Sequence, residues 1–517
     1  MSAYEDWSRA GWRAHLPGVG DIGAHVAGLG AATIHGLAAA AAGRVPDRVA
    51  LDVDGEEVTH ATLDAGAERI AGWLAARLEP GGRVLIAARS SPGFVRCYLG
   101  ALRAGAVVVL ANPGYTVAEL AHLAADSRAA VAFADGGPAR LMAGLPSHPL
   151  IVDASEIPPG PARSGRIQAS PDATALLAYT SGTTGRPKAV PLTHRQLLTS
   201  IRSAMAAWRW REDDVLAHAL PLFHQHGLGG LHAVLVAGGT ARIRSRFTPA
   251  GLAGTVRRHH ATVLFAVPTM YQALLDELGA PERPPLASLR LAVCGSAPLS
   301  PLLAERLSAV LGQPPLVRYG LTETGLNVSH TRDDVRAGSV GVPLPGVMVR
   351  MWSGEEEAPP GTDGEIQVRG TQVFGGYTGD PAATAAAFAR GGWFRTGDIG
   401  RLDPRSGHLT IRGRIKEMII TGGLNVYPRE VELALESHPA VAEAAVAGLP
   451  HERWGEQVTA WVVLRPGSAF DEELLIAHVR AGLAGYKTPK RVYELTALPR
   501  NHVGKVVRSD LTGEAAT

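Results

Sequence analysis

From residue 83 to residue 317, short runs of apolar residues alternate with helix-like segments. The runs are apolar along their whole length, which is typical of strands buried in a parallel sheet that helices cover on both faces. We therefore expect an α/β fold with mostly parallel sheets. The predicted strands are 83–88, 106–110, 129–133, 214–217, 262–267, 289–293 and 316–317, and the predicted helices include 93–104, 117–127 and 193–207.

The composition of the sequence changes near residue 338, where Gly, Pro and charged residues become frequent and the predicted strands become short. This change favours a smaller β-rich subdomain that ends near residue 412. The remainder, about 100 residues, has the size of a usual domain and mixes predicted helices with predicted strands. We predict a large N-terminal domain of several subdomains over residues 1–412 and a small α+β C-terminal domain over 413–517. Residues 1–30, rich in Gly and Ala, are expected to be peripheral.

Charge and cysteine content bear on the class of partner. The net charge is +2 and the basic residues are spread along the chain, so we expect neither nucleic acid nor a membrane as a partner. Cys97 and Cys294 are far apart, lack the spacing of a metal site and are expected to be buried thiols in a reducing compartment. The first residues lack the features of a signal peptide, which favours a cytoplasmic protein. No pattern here predicts an oligomeric state.

A loop rich in hydroxyl groups and glycine follows the apolar run at 175–178. Its sequence, residues 179–188, is Tyr-Thr-Ser-Gly-Thr-Thr-Gly-Arg-Pro-Lys. Glycines let backbone N–H groups turn inward, and hydroxyls and an ammonium add donors, so the loop suits a polyphosphate. It is not a Walker A loop, in which the lysine directly follows glycine; an ordinary turn is the alternative. The candidate ligands are Thr180, Ser181, Gly182, Thr183, Thr184, Gly185 and Lys188.

Two further turns follow predicted strands, and the carboxyl ends of parallel strands are where such sheets bind ligands. The first turn offers Ser296, Ala297 and Pro298, although a plain strand–helix turn explains its local sequence equally well. The second turn begins at Tyr319, whose ring could stack on a base. In the same turn, Thr322 could donate to a phosphate.

Charged residues complete the candidate site. Glu323 could hold Mg²⁺, a cation that favours carboxylate and phosphate oxygens. Asp398 could accept from a ribose hydroxyl, and Arg414 could contact sugar or phosphate. Lys505 lies in a Gly-containing loop and, taken alone, is most simply a solvated lysine. It is nevertheless one of only five lysines among 50 basic residues, as is Lys188, and a compact ammonium is not interchangeable with a guanidinium.

Together these motifs resemble the adenylate-forming superfamily, which contains acyl-CoA synthetases, firefly-type luciferases and peptide-synthetase adenylation domains. The resemblance begins near residue 30 and implies a large N-terminal domain and a small, mobile C-terminal domain. It also implies two half-reactions: a carboxylate and MgATP give an acyl-adenylate and pyrophosphate, and a thiol such as CoA then displaces AMP. The motifs stand in the family's order, at 179–188, 295–298, 319–323, 396–398, 413–416, 422–428 and 499–505.

The resemblance implies a role for each candidate. The loop from Thr180 to Lys188 would hold the β- and γ-phosphates, and the 296–298 turn with Tyr319 would surround adenine. Asp398 and Arg414 would hold the ribose. The remaining roles are catalytic. Attack of a carboxylate on the α-phosphorus brings two anions together, so catalysis is mainly positioning and charge neutralisation. Thr322 would contact the α-phosphate, and Glu323 would bind Mg²⁺. Lys188 would contact the leaving phosphates, and Lys505 would bridge the acyl carboxylate and the α-phosphate.

Within the superfamily, the chain is most similar to malonyl-CoA synthetases, in segments 221–228, 265–271, 318–327 and 338–347. The physical argument rests on Arg318, which could grip a second carboxylate in bidentate fashion and would disfavour a fatty tail. His224 and Arg246 could assist. Strand alternation next to Tyr319 also permits Arg318 to face solvent. After a malonate-like acid, other small or polar acids are the next candidates for the substrate.

Three functions stay open on these grounds. The first is an acid:CoA ligase, favoured because Lys505 and the C-terminal domain are both present. The second is an adenylating enzyme for another small, aryl or fatty acid, or one that passes its adenylate to an amine or a carrier-protein thiol. The third is an inactive nucleotide-binding protein, which would be expected to lack Lys188, Glu323 or Lys505.

Overall fold

The computed structural model describes residues 2–145, 148–156, 169–180, 187–279, 286–501 and 505–514. Two 3₁₀ turns lie at Ile415–Glu417 and Gly485–Lys487. The α-helices of the described ranges are α1 Ala3–His15, α2 Ile22–Gly28, α3 Ile34–Arg44, α4 His60–Ala75, α5 Pro92–Arg103, α6 Val117–Ser127, α7 Gly136–Ala143, α8 His194–Ala207, α9 Gln225–Ala237, α10 Pro249–Arg258, α11 Pro268–Leu278, α12 Pro301–Leu311, α13 Pro381–Ala387, α14 Pro428–Glu436, α15 Glu472–Gly482 and α16 Arg508–Glu514.

The strands within the described ranges fall into four sheets. In chain order they are β1 Val49–Val53, β2 Glu56–Thr59, β3 Arg83–Ala87, β4 Val107–Leu110, β5 Val131–Ala134, β6 Leu150–Asp153, β7 Thr174–Thr180, β8 Lys188–Thr193, β9 Val215–His218, β10 Thr240–Ile243, β11 Val263–Ala266, β12 Leu291–Cys294, β13 Leu316–Leu321, β14 Gly325–Ser329, β15 Val342–Pro343, β16 Val347–Ser353, β17 Glu356–Glu357, β18 Asp363–Gly370, β19 Phe388–Ala389, β20 Trp393–Leu402, β21 Leu409–Arg414, β22 Ile419–Thr421, β23 Leu424–Val426, β24 Val441–His451, β25 Gly455–Leu464 and β26 Arg491–Glu494.

Two large sheets carry the N-terminal part. The nine-stranded sheet has the order β15-β14-β13-β12-β11-β9-β10-β1-β2, and it is parallel from β13 to β1. The six-stranded sheet has the order β6-β5-β3-β4-β7-β8, and only β7 and β8 pair antiparallel in it. The prediction of mostly parallel sheets is therefore confirmed. The side chains of these central strands are almost all buried, as their unbroken apolar runs require.

Local sequence signals place several helices. The predicted helix at 117–127 is α6, which begins with a capping box in which Thr116 and Glu119 satisfy each other's backbone N–H groups. α8 begins with the same arrangement between Thr193 and Gln196. These signals are local in the chain, so the sequence alone could locate both helix starts.

A β-rich subdomain and a small α+β unit follow, as expected. The subdomain sheet has the order β17-β16-β18-β20-β19, with β21 beside β20, and the last sheet has the order β23-β22-β25-β24, with β26 beside β25. Helices α14 and α15 pack on the last sheet through buried apolar residues that include Val431, Leu435 and Val479. This unit has its own core, separate from the cluster that spans the N-terminal sheets.

The first helix is more closely packed than the expected peripheral segment. Tyr4 Oη donates to the Ala358 carbonyl at 2.7 Å, and Trp12 Nε1 donates to the Val347 carbonyl at 2.9 Å. Tyr4 is buried and belongs to the main core. The composition of residues 1–30 gave no sign of this contact, because its partners are backbone carbonyls far along the chain.

No helix within the described ranges combines the length and the apolar character that crossing a bilayer requires.

Candidate active site

One edge of the nine-stranded sheet opens into a cavity of about 550 Å³. The carboxyl ends of β11, β12 and β13 meet there, because these strands are parallel neighbours. The C-terminal unit covers the cavity and contributes side chains such as Glu443 and Arg508. Candidates from both parts of the chain line this one space: His224, Ser296, Ala297, Pro298, Arg318, Tyr319, Thr322, Asp398, Arg414 and Lys505.

Asp398 is the centre of a buried polar group. Tyr319 Oη donates to Asp398 Oδ2 at 2.7 Å, and Arg414 Nε lies 3.0 Å from Asp398 Oδ1. The register of β20 and β21 places Asp398 directly opposite Arg414. Burial raises the pKa of Asp398, which is 4% exposed, while Arg414 and the Tyr319 hydrogen bond oppose that shift. The carboxylate is thus held by two donors at the cavity wall.

Lys505 approaches this group from the C-terminal unit. Its backbone N–H donates to Asn501 Oδ1 at 3.0 Å, and its carbonyl accepts from the Asn501 N–H at 2.9 Å. Desolvation lowers the pKa of Lys505, and the charges of Arg414 and Arg318 lower it further. The C-terminal unit therefore brings its lysine into the same electrostatic environment as the Asp398 group.

The turn after β12 has a strained residue. Ser296 has a φ of 70°, in the left-handed region that non-glycine residues seldom adopt. Its Oγ lies 3.1 Å from His226 Nδ1, so the side chain anchors the turn to α9. This conformation exposes Ser296, Ala297 and Pro298 to the cavity, where the sequence predicted them.

Arg318 lies at the cavity wall rather than on the outer surface. A Cβ added to Gly295 would overlap the Arg318 guanidinium, so the glycine makes room for it. Burial lowers the pKa of Arg318 to about 10, and no carboxylate of the described residues pairs with it. An enclosed cation without an ion pair among these residues is suited to an anionic ligand.

His226 was not among the predicted site residues, although it lies in segment 221–228, and it proves to be close to Arg318. Burial lowers the pKa of His226 well below its ordinary value, and the Arg318 charge adds to the effect. Its Nε2 is buried without a hydrogen-bond partner among the described residues. With Ser296 at Nδ1, the ring can present Nε2 as a donor to the cavity. The only signal in the sequence was the pair of histidines at 224 and 226.

Thr180 and Lys188, the triphosphate candidates among the described residues, lie outside the cavity lining. Lys188 pairs with Thr180 across β7 and β8, and its Nζ lies 5.0 Å from the centre of the Tyr377 ring. Tyr377 Oη in turn donates to Glu323 Oε1 at 3.0 Å. The candidates Ser181, Gly182, Thr183, Thr184 and Gly185 lie outside the described residues.

Glu323 fits a magnesium ion. Glu323 is 8% exposed, and burial raises the pKa of its carboxyl group while the Tyr377 hydrogen bond opposes the shift. The described residues contain no cluster of three or more potential ligands among His, Cys, Asp and Glu. A single hard carboxylate beside the candidate phosphate-binding residue Lys188 would match the usual protein share of a magnesium complex, in which phosphates and water supply the other oxygens.

Two remaining candidates differ in position. The Thr322 carbonyl accepts from Gln225 Nε2 at 3.2 Å, which ties the second turn to α9. Arg246 is exposed and is not part of the cavity lining, so the structure does not bring it to the site. The sequence offered Arg246 only as a residue that could assist Arg318.

Apolar side chains also line the cavity, and sequence gave no reason to group them. Leu197 and Ile201 come from α8, while Trp208 and Phe265 meet edge to face with ring centres 5.7 Å apart. Gly229 faces the same region from α9, and a Cβ there would lie 3.8 Å from Ile201 Cδ1. The cavity thus combines a charged wall with an apolar one.

Comparison with known proteins agrees with this architecture. Residues 38–378 match the AMP-binding enzyme family, and residues 430–505 match the AMP-binding enzyme C-terminal domain. The chain is 37% identical over 482 residues to a feruloyl-CoA synthase from an Amycolatopsis species, covering 90% of this chain and 96% of that protein. It is 34% identical to an oxalate–CoA ligase of Arabidopsis thaliana over 501 residues, covering 92% and 97%.

A solved structure gives the same result. The ATP-bound MatB from Rhodopseudomonas palustris superposes with a TM-score of 0.86 at 35% identity, covering 93% of this chain and 98% of that one. The chain therefore belongs to the AMP-binding enzyme family, and the prediction of an adenylate-forming enzyme of the acid–thiol ligase class is confirmed.

Proposed function

We propose that this enzyme is an ATP-dependent acid:CoA ligase that activates malonate or a similar small dicarboxylate. The observation that carries the choice of acid is Arg318, an enclosed guanidinium at the cavity wall with no carboxylate partner among the described residues. The resemblance to malonyl-CoA synthetases in the surrounding segments supports the same choice.

The acid would lie between Lys505 and the pair formed by Arg318 and His226. Its reacting carboxylate would face Lys505, which lies close to the Asp398 group that is proposed to hold ribose. Its second carboxylate would accept from the Arg318 guanidinium and from His226 Nε2, the buried donor that has no partner in the described ranges. Pairing of a buried cation with a carboxylate by charge-assisted hydrogen bonds stabilises both groups.

The nucleotide would follow the candidates already described. Adenine would pack beside Tyr319 and the turn at Ser296, ribose hydroxyls would bond to Asp398, and the phosphates would lead from Thr322 toward Lys188. Mg²⁺, when bound at Glu323, would neutralise phosphate charge. The enzyme's own cations would neutralise the remaining negative charge, because an anionic attack on an anionic phosphate depends on positioning and charge neutralisation.

Transfer of the acyl group to CoA would require Lys505 to move out of the active site. β21 belongs to the N-terminal part and ends at Arg414, whereas β22 of the C-terminal sheet begins at Ile419. We place the boundary of the two domains at the 3₁₀ turn Ile415–Glu417, slightly later than the predicted boundary after residue 412. Rotation about this turn would withdraw Lys505 and admit a thiol, a hinge motion of the usual kind.

The apolar wall favours a second candidate, an aryl acid. Trp208, Phe265 and Leu197 line the same cavity as Arg318 and offer an apolar surface that malonate would not fill. The related feruloyl-CoA synthase bears a name of this class. The oxygen of a substituted aryl acid could still accept a hydrogen bond from His226 Nε2.

Acid-dependent release of pyrophosphate, with and without CoA, tests both candidates. A panel of dicarboxylates, aryl acids and short monocarboxylates at equal concentration would identify the acid. We expect the highest kcat/KM with malonate and formation of malonyl-CoA only when CoA is present. Highest turnover of an aryl acid would select the second candidate, and full turnover with an amine but none with CoA would contradict both.

A further inference from the structure

We propose that Tyr377 is a positioning residue that fixes the metal-binding carboxylate and the phosphate-binding lysine relative to each other. The inference rests on the proposed roles of Glu323 and Lys188 in binding MgATP and assigns a residue that none of the sequence motifs contains. Tyr377 lies between β18 and α13, in the β-rich subdomain.

One planar side chain makes both contacts. The Tyr377 hydroxyl donates to Glu323 Oε1 at 3.0 Å, and the Lys188 ammonium lies 5.0 Å from the ring centre. A phenol can make these contacts together, because its O–H lies at the ring edge while a cation is attracted to the ring face. Loss of the hydroxyl would therefore affect Glu323 alone, whereas loss of the ring would affect both partners.

The backbone around Tyr377 repeats this double connection. Phe374 N–H donates to the Glu323 carbonyl at 2.8 Å, and Thr378 N–H donates to the Ala189 carbonyl at 3.0 Å. Ala189 follows Lys188 in β8. The segment 374–378 is thus hydrogen-bonded on one side to the metal-site turn and on the other to the strand that leaves the phosphate loop.

Packing and a hydrogen bond within the protein hold the ring in place. Phe374 is 2% exposed and contacts Tyr377 edge to face, with ring centres 4.9 Å apart. Phe388 and Phe394 surround Phe374 with centres 5.7 and 5.5 Å away. Tyr377 N–H also donates to Thr384 Oγ1 at 2.9 Å. Side chains fixed by packing in this way give functional groups their geometry at little entropic cost.

The connection matters because its partners come from different sheets. Glu323 follows β13 of the nine-stranded sheet, and Lys188 begins β8 of the six-stranded sheet. Tyr377 belongs to neither, since it precedes α13 beside the β-rich sheet. A small shift between the two large sheets would separate the metal from the phosphates. Tyr377 contacts Glu323 beside one sheet and Lys188 in the other.

The test compares Tyr377→Phe, which keeps the ring, with Tyr377→Leu, which removes it. ATP binding to the full-length chain is measured by titration calorimetry, once with EDTA and once with Mg²⁺. We expect Tyr377→Phe to bind ATP normally in EDTA and to lose about tenfold of the affinity gained from Mg²⁺, the usual effect of one hydrogen bond to a charged group. Tyr377→Leu should lose the same factor and also bind about two- to fivefold more weakly in EDTA, as the cation–π contact is lost.

Tyr4→Phe is the matched control. It removes a buried tyrosine hydroxyl with a 2.7 Å hydrogen bond far from the site, so it should lower the melting temperature and leave both titrations unchanged. Wild-type values for Tyr377→Phe in both titrations would overturn the inference. Equal losses with and without Mg²⁺ for both variants would also overturn it, by indicating a merely structural role. A chain that shows the expected titrations but activates no acid would contradict the proposed function and leave the Tyr377 assignment standing.

Discussion

The guanidinium of Arg318 lies against Gly295 so closely that a Cβ at residue 295 would overlap it. Its neighbour Tyr319 donates to Asp398, and both residues line the cavity although neighbouring side chains of a strand normally face opposite sides. The register of β13 on β14 is regular from Arg318 to Tyr319 and shifts between Tyr319 and Gly320. The proposed acid-binding cation and the proposed base-binding ring are consecutive residues.

Replacement of Arg318 by Ala should lower kcat/KM for malonate by about 100-fold more than for acetate, because two charge-assisted hydrogen bonds are lost. Steady-state pyrophosphate release with each acid measures the difference. Equal losses for both acids would remove the basis for a dicarboxylate.

Gly295→Ala supplies a second test of the same site. The new methyl group must displace the Arg318 guanidinium, so malonate turnover should fall while the arginine is still present. We expect the same shift in acid preference as for Arg318→Ala, with a smaller size. An unchanged preference would indicate that the position of the guanidinium does not select the acid.

Lys505→Ala should suppress adenylation and spare thioester formation from a supplied acyl-adenylate, because Lys505 is proposed to act in only the first half-reaction. Exchange of pyrophosphate into ATP measures the first step, and release of AMP from the adenylate with CoA measures the second. Loss of both steps to the same degree would contradict the assignment.

The adenylation rate should fall as pH rises through a value below the ordinary range of lysine. Burial, Arg414 and Arg318 lower the pKa of Lys505, and the protonated amine is the form that neutralises phosphate. The deprotonated form prevails above that lowered pKa, so the loss lies on the alkaline side. Lys505→Arg should move the alkaline loss to higher pH, as guanidinium stays charged. A profile identical in the two proteins would assign the loss to another group.

Gly229→Leu distinguishes the two candidate acids. The leucine would extend from α9 toward Ile201 and fill the apolar side of the cavity, since only ordinary contact distances limit a Cβ at residue 229. Turnover of an aryl acid should fall at least tenfold by steric exclusion, while malonate at the Arg318 side should be little affected. The reverse order of effects would place the acid in the apolar half.

Sequence predicted those parts of the site that depend on strand direction. Ser296, Tyr319 and Thr322 follow predicted strands, and parallel neighbours bring such residues to one edge of a sheet. The pairing of Asp398 with Arg414 could not be foreseen in the same way, since it depends on the register of two antiparallel strands. Their common role came from family resemblance.

The parts that escaped prediction depend on tertiary packing. Tyr377 belongs to an unremarkable Phe-Gly-Gly-Tyr segment, and only the fold brings it to Glu323 and Lys188. The apolar wall is built from separate elements, of which Trp208 and Phe265 are examples. Arg246 is a contrasting case, because it was a candidate in the sequence and is exposed outside the cavity lining in the structure.

The hairpin of β1 and β2 has a consequence for how the chain is made. β1 pairs with β10, and the contact between Asp52 and Arg242 joins residues 190 positions apart. The six-stranded sheet consists of strands between Arg83 and Thr193. All of its strands have therefore been synthesised before β10, the strand that pairs with the hairpin. During synthesis the hairpin must wait with an open edge, and long-range pairing of this kind is slow. The time needed to synthesise the chain from β2 to β10 is therefore the shortest time for which this edge of β1 lacks its partner.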